Sequence, residues 1–149
     1  MEMEMDEKFE LHPDLQRDGI RMGSFPLCLV LLINDRNYPW FVLVPAIGGL
    51  RELYELDEIS YRVYGAESLV LGKTIMRLFA GDKLNVAALG NLTPQLHIHH
   101  VVRHETDAAW PGPIWGQRPL SPYRPSEIDE IRCRLVAAGM EGFESHAAH

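Results

Sequence analysis

Two apolar runs with a short polar cluster between them constrain this chain more than any other feature. "PLCLVLLI" is followed by "NDRNYP" and then by "WFVLVP". Each run is continuous, short and rich in Val, Leu and Ile, the signature of a buried strand. The cluster between them consists of turn formers, and Pro45 stops the second run. Two strands joined by so short a turn form a hairpin and are therefore antiparallel neighbours.

Around this hairpin the chain supplies both helices and strands. Phe9 to Asp18 reads as a short helix, because Pro13 suits a first helical turn. The "AIGGL" stretch after the hairpin is a loop. From Asp57 to about Phe79 the pattern is helical: Ile59, Val63, Ala66 and Val70 step by four, three and four residues and share one face. Gly81 supplies the stop. "KLNVAALG" and "QLHIHHVVR" are further strand candidates, joined by "NLTP". "WPGPIWGQRPLSPYRP" holds five of the ten prolines, so it is predicted to be an extended or turning connection. A last helix is predicted from Ser126 as N-cap, carrying Ile128, Ile131 and Leu135 inward before Gly139. The order predicts an α+β fold with a mostly antiparallel sheet of about five strands, one long helix and a C-terminal helix. No repeat or dividing linker is visible, so residues 1–149 read as one domain with a core of about 9–138. Residues 1–8 and 140–149, including the "ESHAAH" end, are expected to be disordered tails.

Charge narrows the partners. A formal net charge of -7 argues against a broad nucleic-acid-binding face, although a local cluster of donors could still hold a small phosphorylated ligand. The two cysteines, Cys28 and Cys133, lie in apolar periodic segments, so no disulfide framework is expected and a reducing cytoplasm is favoured. The acidic opening "MEMEMDEKFE" lacks the regions of a signal peptide. The longest apolar run, "FPLCLVLLI", falls far short of the ~20 residues that span a bilayer. A cytoplasmic protein with neither nucleic-acid nor membrane partner is expected.

The chemistry concentrates in "PQLHIHHVVRH", which places four of the seven histidines between residues 97 and 104. On a strand, alternate residues share a face. Gln95, His97, His99, Val101 and Arg103 then point one way, and Leu96, Ile98, His100 and Val102 point the other. The second set is the natural core face. The first is a row of hydrogen-bonding groups suited to a phosphate, with one imidazole able to attack phosphorus while its neighbours hold oxygens. Neutral imidazole is nucleophilic near pH 7, and its phosphoryl adduct is open to water.

The run "QLHIHHVVR" resembles the active-site strand of the histidine triad family. With Arg103 on the family's trailing arginine, His97 falls on the nucleophile that forms a covalent nucleotidyl–histidine intermediate. His99 falls on the histidine that helps hold the phosphate, and Gln95 stands where most branches carry the first histidine. "LINDRNYPWFVLVP" resembles the family's hairpin, whose turn residue contacts the ribose, which implies Asn34 and Asp35. "LNVAALGN" resembles the preceding strand and implies nucleotide-binding roles for Asn85 and Asn91. Trp40 stands where many members carry another histidine, and His100 where a residue is usually apolar. The resemblance implies a homodimeric hydrolase. It would split a nucleoside monophosphate from a phosphoramidate, an acyl-adenylate or a dinucleoside polyphosphate, with no required cofactor, Mg²⁺ accompanying only a polyphosphate substrate. The alternative is a nucleotide-binding regulator with little turnover.

Plainer readings stand beside these. His-x-His on a strand is also a metal cradle, but one that needs a third ligand from another strand in a β-rich chain. His100 reads better as a core or subunit-contact histidine than as a catalytic group, and His104 as solvated. Asn34 and Asp35 are ordinary turn formers. Trp110 and Trp115 anchor a loop to the core, or else cover the nucleotide. Arg103 offsets ligand charge or is a surface cation.

Overall fold

A computed structural model describes residues 8–147, so residues 1–7 of the expected N-terminal tail and 148–149 of the expected C-terminal one lie outside the described residues. The elements, in chain order, are α1 (Pro13–Asp18), β1 (Gly19–Ser24), β2 (Cys28–Ile33), β3 (Trp40–Pro45), α2 (Glu58–Leu78), β4 (Lys83–Ala87), β5 (Ile98–Arg103), α3 (Pro125–Ala137) and β6 (Glu144–Ser145). They form an α+β fold with one six-stranded sheet in the order β4-β5-β3-β2-β1-β6. Every pairing is antiparallel.

The hairpin of β2 and β3 forms the middle of the sheet, and its apolar runs are continuous because both faces are covered. Cys28, Val30, Leu32, Phe41 and Leu43 join the core that packs on α2 and α3. Leu29, Leu31, Ile33, Val42 and Val44 pack instead on Leu11, just before α1, and on Leu15 within it. A third cluster of Tyr38, Val101 and Ile114 seats the proline-rich connection on that second face.

The long helix departs from its expected orientation. Ser60, Tyr64, Glu67, Leu71, Thr74 and Ile75 are among its buried residues, whereas Ile59 is 48% exposed and Ala66 is exposed as well. The packed face is therefore rotated about one residue from the Ile59–Val63–Ala66–Val70 stripe, whose valines only flank the core. Buried polar groups explain the shift. Glu67 accepts the N–H groups of Leu27 and Cys28 at 3.0 and 2.8 Å, closing the start of β2. A carboxylate on the core face hides that face from a hydrophobic pattern.

Other boundaries also move. α3 begins at Pro125 with Arg124 as its cap residue, and the Glu127 carboxylate accepts the Arg124 N–H at 2.9 Å, so Ser126 is not the cap. The left-handed residue that ends α2 is Ala80, at φ 48°. Gly81 is needed for space, since a Cβ there would lie 2.5 Å from Val102 Cγ1. Two strands were not anticipated. β1 reads "GIRMGS", with no apolar run to mark it, and β6 is only two residues long. β6 falls where a disordered tail was expected: it pairs with β1, and Phe143 packs edge-on to Phe25 with centroids 5.5 Å apart.

Candidate active site

β5 lies between β4 and β3, so its side chains are framed by strands on both sides. His99 is opposite Val42 and Ala87, while His100 is opposite Phe41 and Val86. His100 turns to the core as the alternation requires: it is 0% exposed, bonds the Ile98 carbonyl through Nδ1 and meets Ser68 Oγ of α2 at 2.7 Å through Nε2. His97 precedes the strand proper, and its ring lies 4.9 Å from that of His99 at 75°.

His97 has a fixed tautomer. Its Nδ1–H donates to the Gln95 carbonyl at 2.7 Å, which leaves the Nε2 lone pair free. The residue is only 6% exposed, and burial lowers the ring's pKa below the usual histidine value, aided by the charge of His12 and opposed by the Gln95 carbonyl. The ring is therefore neutral at pH 7. It borders two hollows. One of about 310 Å³ is lined by Arg51, Glu52, Asn91, Gln95 and part of the 88–90 loop. The other, about 110 Å³, contains Trp40, Thr93, His99, Asp14 and Asp18. The loop wraps closely: a Cβ on Gly90 would lie 2.8 Å from His97 Cε1, so only glycine lets the backbone approach the ring.

His99 is held at both nitrogens. Trp40 Nε1–H donates to its Nδ1 at 2.9 Å, and its Nε2–H donates to the Leu89 carbonyl at 2.8 Å. Burial depresses its pKa to about 4, so it too is neutral. Trp115 packs edge-on to it with centroids 5.2 Å apart. His99 thus ties the 88–91 loop to the sheet. As a metal cradle the histidine pair lacks support from a third group: among the described residues no three His, Cys, Asp or Glu side chains converge on one point.

The other anticipated residues are spread out. The Gln95 amide is engaged on the N-terminal segment: Oε1 accepts the His12 N–H and Nε2 donates to the Glu10 carbonyl, both at 2.8 Å. Asn91 lines the larger hollow. Asn34 accepts the Tyr123 N–H at 2.9 Å. Asp35, 2% exposed, accepts from Asn37 and from the Ser121 N–H. Asn85 accepts from Arg103 Nη1 at 2.9 Å. None of these last three lines either hollow.

Arg103 is neither a ligand cation nor a surface one. At 2% exposure it forms a two-pronged ion pair with Asp107, at 2.8 and 3.0 Å, and its guanidinium lies 5.6 Å from the Trp110 ring centroid. Burial alone would raise the Asp107 carboxyl, but Arg103 and the loop N–H groups bring it below the usual carboxylate value. This pair fixes the connection that carries Trp115 to His99. The histidine following it is also engaged, as His104 Nε2–H donates to the Phe79 carbonyl at 2.7 Å. Sequence reasoning passed over His12, Arg51 and Gly90. Nothing local in "LHPD" or "GGLREL" marks them; they reach the site through the loops that carry them.

The family model for the HIT domain, the histidine triad domain, matches residues 15–106. The chain belongs to the histidine triad family. Solved histidine triad proteins superpose over most of their length. One from Marinobacter aquaeolei VT8 is 46% identical, with a TM-score of 0.83 over 88% of this chain and 96% of that one. One from Sinorhizobium meliloti 1021 is 35% identical, with a TM-score of 0.86 over 87% and 96%. A third, from Bradyrhizobium japonicum, is 38% identical, with a TM-score of 0.86 over 88% and 98%. No curated protein matches the chain. Histidine triad proteins are generally nucleotide-binding hydrolases or transferases.

Proposed function

We propose that this histidine triad protein cleaves a nucleoside monophosphate from a phosphoramidate, an acyl-adenylate or a dinucleoside polyphosphate through a covalent intermediate on His97. It represents a branch in which Gln95 replaces the family's first histidine. The observation that carries this reading is the neutral His97 ring, oriented by the Gln95 carbonyl at 2.7 Å with Nε2 free beside a polar hollow. The Nε2 lone pair attacks phosphorus, an N–P bond forms, and the leaving group departs with its bonding pair and takes up a proton. Water then attacks phosphorus, the N–P bond breaks, and the nucleoside monophosphate is released. His97 supplies the nucleophile itself, so no resident cofactor enters the scheme; Mg²⁺ arrives only with a polyphosphate. His99 acts through the loop it holds, and Asn91 faces the substrate.

Incubation with adenosine phosphoramidate and with a diadenosine polyphosphate tests this. Release of the monophosphate by the wild type, and its loss in His97→Ala by about 10³-fold or more, is expected; unchanged turnover in the variant contradicts the scheme. A regulator that binds nucleotide with little turnover is the second reading. It is favoured by the engagement of both His99 nitrogens and of the Gln95 amide, which leaves His97 as the imidazole of this row with a free nitrogen. Nucleotide binding without product or adduct selects it. A cytoplasmic location goes with either reading: Cys28 and Cys133 are free thiols, as a reducing compartment allows. Among the described residues no helix is long and apolar enough to cross a membrane.

A further inference from the structure

Gln95 does more than replace an imidazole. Its side chain clamps the backbone of Glu10 and His12, so the segment before α1 is drawn to the mouth of the His97 hollow. That segment carries another imidazole. His12 Nδ1 accepts the Asp14 N–H at 3.0 Å, with Asp14 Oδ2 3.8 Å from the same nitrogen. The ring proton therefore lies on Nε2, which has no partner among the described residues. His12 lines a hollow of about 160 Å³ with Gly49, Leu50, Arg51, Pro94 and Gln95. Arg51, Pro94 and Gln95 also line the hollow of His97, so the two adjoin. The Arg51 guanidinium is exposed and likewise has no side-chain partner among the described residues. Of the acidic groups nearby, Glu52 lines the larger His97 hollow, Asp14 lies on the Nδ1 side of the His12 ring, away from Nε2, and Asp14 and Asp18 line the smaller His97 hollow.

We propose that the His12 Nε2–H and the Arg51 guanidinium form an anion subsite beside the nucleophile. It takes the phosphates beyond the one that His97 attacks. The subsite rests on the nucleotidyl-transfer reading and sharpens it: a substrate whose leaving group is itself a phosphate is preferred to one that expels an amine. A compact N–H donor and a forked cation, set together on a rim with an adjoining reaction hollow, match a phosphate chain and have nothing to offer an ammonium group. The feature is the pair of side chains, not the end of the short helix α1.

Binding separates this proposal from the reaction. Affinities of the wild type, His12→Asn and Arg51→Gln are measured by calorimetry for AMP and for the non-hydrolysable α,β-methylene ATP. Asparagine keeps the capping acceptor for Asp14, so α1 is retained while the ring is removed. The wild type should bind the longer analogue about tenfold or more tighter than AMP, and each variant should bring that preference to within roughly twofold. Equal affinities in the wild type, or a preference that survives both substitutions, overturns the subsite while leaving His97-dependent turnover intact. A preference lost in both variants of a protein that forms no His97 adduct keeps the subsite and removes the transfer reading instead.

Discussion

A neutral imidazole has one donor and one acceptor nitrogen, so the partners of each ring decide what it has left to offer. His99 and His100 use both nitrogens inside the protein, whereas His97 uses only Nδ1. Burial brings His99 and His100 to pKa values of about 4. The unfolded chain, with histidines near 6.5, binds protons more readily than the native one across that window. Stability is therefore complete above about pH 6.5 and is lost as pH falls toward 4. By pH 5 each ring should remove on the order of 2 kcal/mol, read from urea midpoints between pH 7 and 5. A stability unchanged over that range contradicts the assigned burial. Strand alternation in the sequence is enough to separate His97 and His99 from His100. It says nothing of the partners, because Trp40, Leu89 and Ser68 are contributed by other elements. Gln95 lies before the regular strand, and there alternation no longer governs its side chain.

Elements with a strong pattern were legible, and those carrying buried polar groups were less so. β2 and β3 stand out because both their faces are covered by apolar neighbours. β1 has glycines and an arginine and is a strand chiefly because β2 pairs with it, and β6 only because it meets β1. α2 was located correctly but its inward face was displaced, since that face includes Ser60, Glu67 and Thr74. Glu67 is there for a structural reason. Its carboxylate, with a pKa raised by burial, closes two N–H groups at the start of β2. Glu67→Gln removes one acceptor and presents an N–H donor in its place. It should cost about 1–3 kcal/mol in chemical denaturation. A change below about 0.5 kcal/mol, the size of an ordinary surface substitution, would show that β2 does not depend on this carboxylate.

At the level of the molecule, the sheet order sets the nucleophile near one edge, with β4 alone outside β5. Val86 on that edge strand is 48% exposed, Leu89 38% and Leu92 95%, and Tyr61 and Leu69 are exposed on α2. A homodimer, which the sequence resemblance implies, could use such exposed apolar residues and the open edge of β4 for its contact. Sedimentation equilibrium should then give twice 16.9 kDa, and a mass of 16.9 kDa at micromolar concentration would argue against it. The proline-rich connection, locked by Arg103 and Asp107, closes the other side by bringing Trp115 onto His99. What remains open beside His97 are the two hollows that it borders. The most direct measurement is intact-protein mass spectrometry during turnover of a diadenosine polyphosphate, quenched under conditions that preserve N–P bonds. Transfer through His97 predicts one nucleotidyl group per chain, mapped by fragmentation to His97 and absent in His97→Ala. Steady turnover with no adduct on His97, and with the Ala variant equally active, would contradict it.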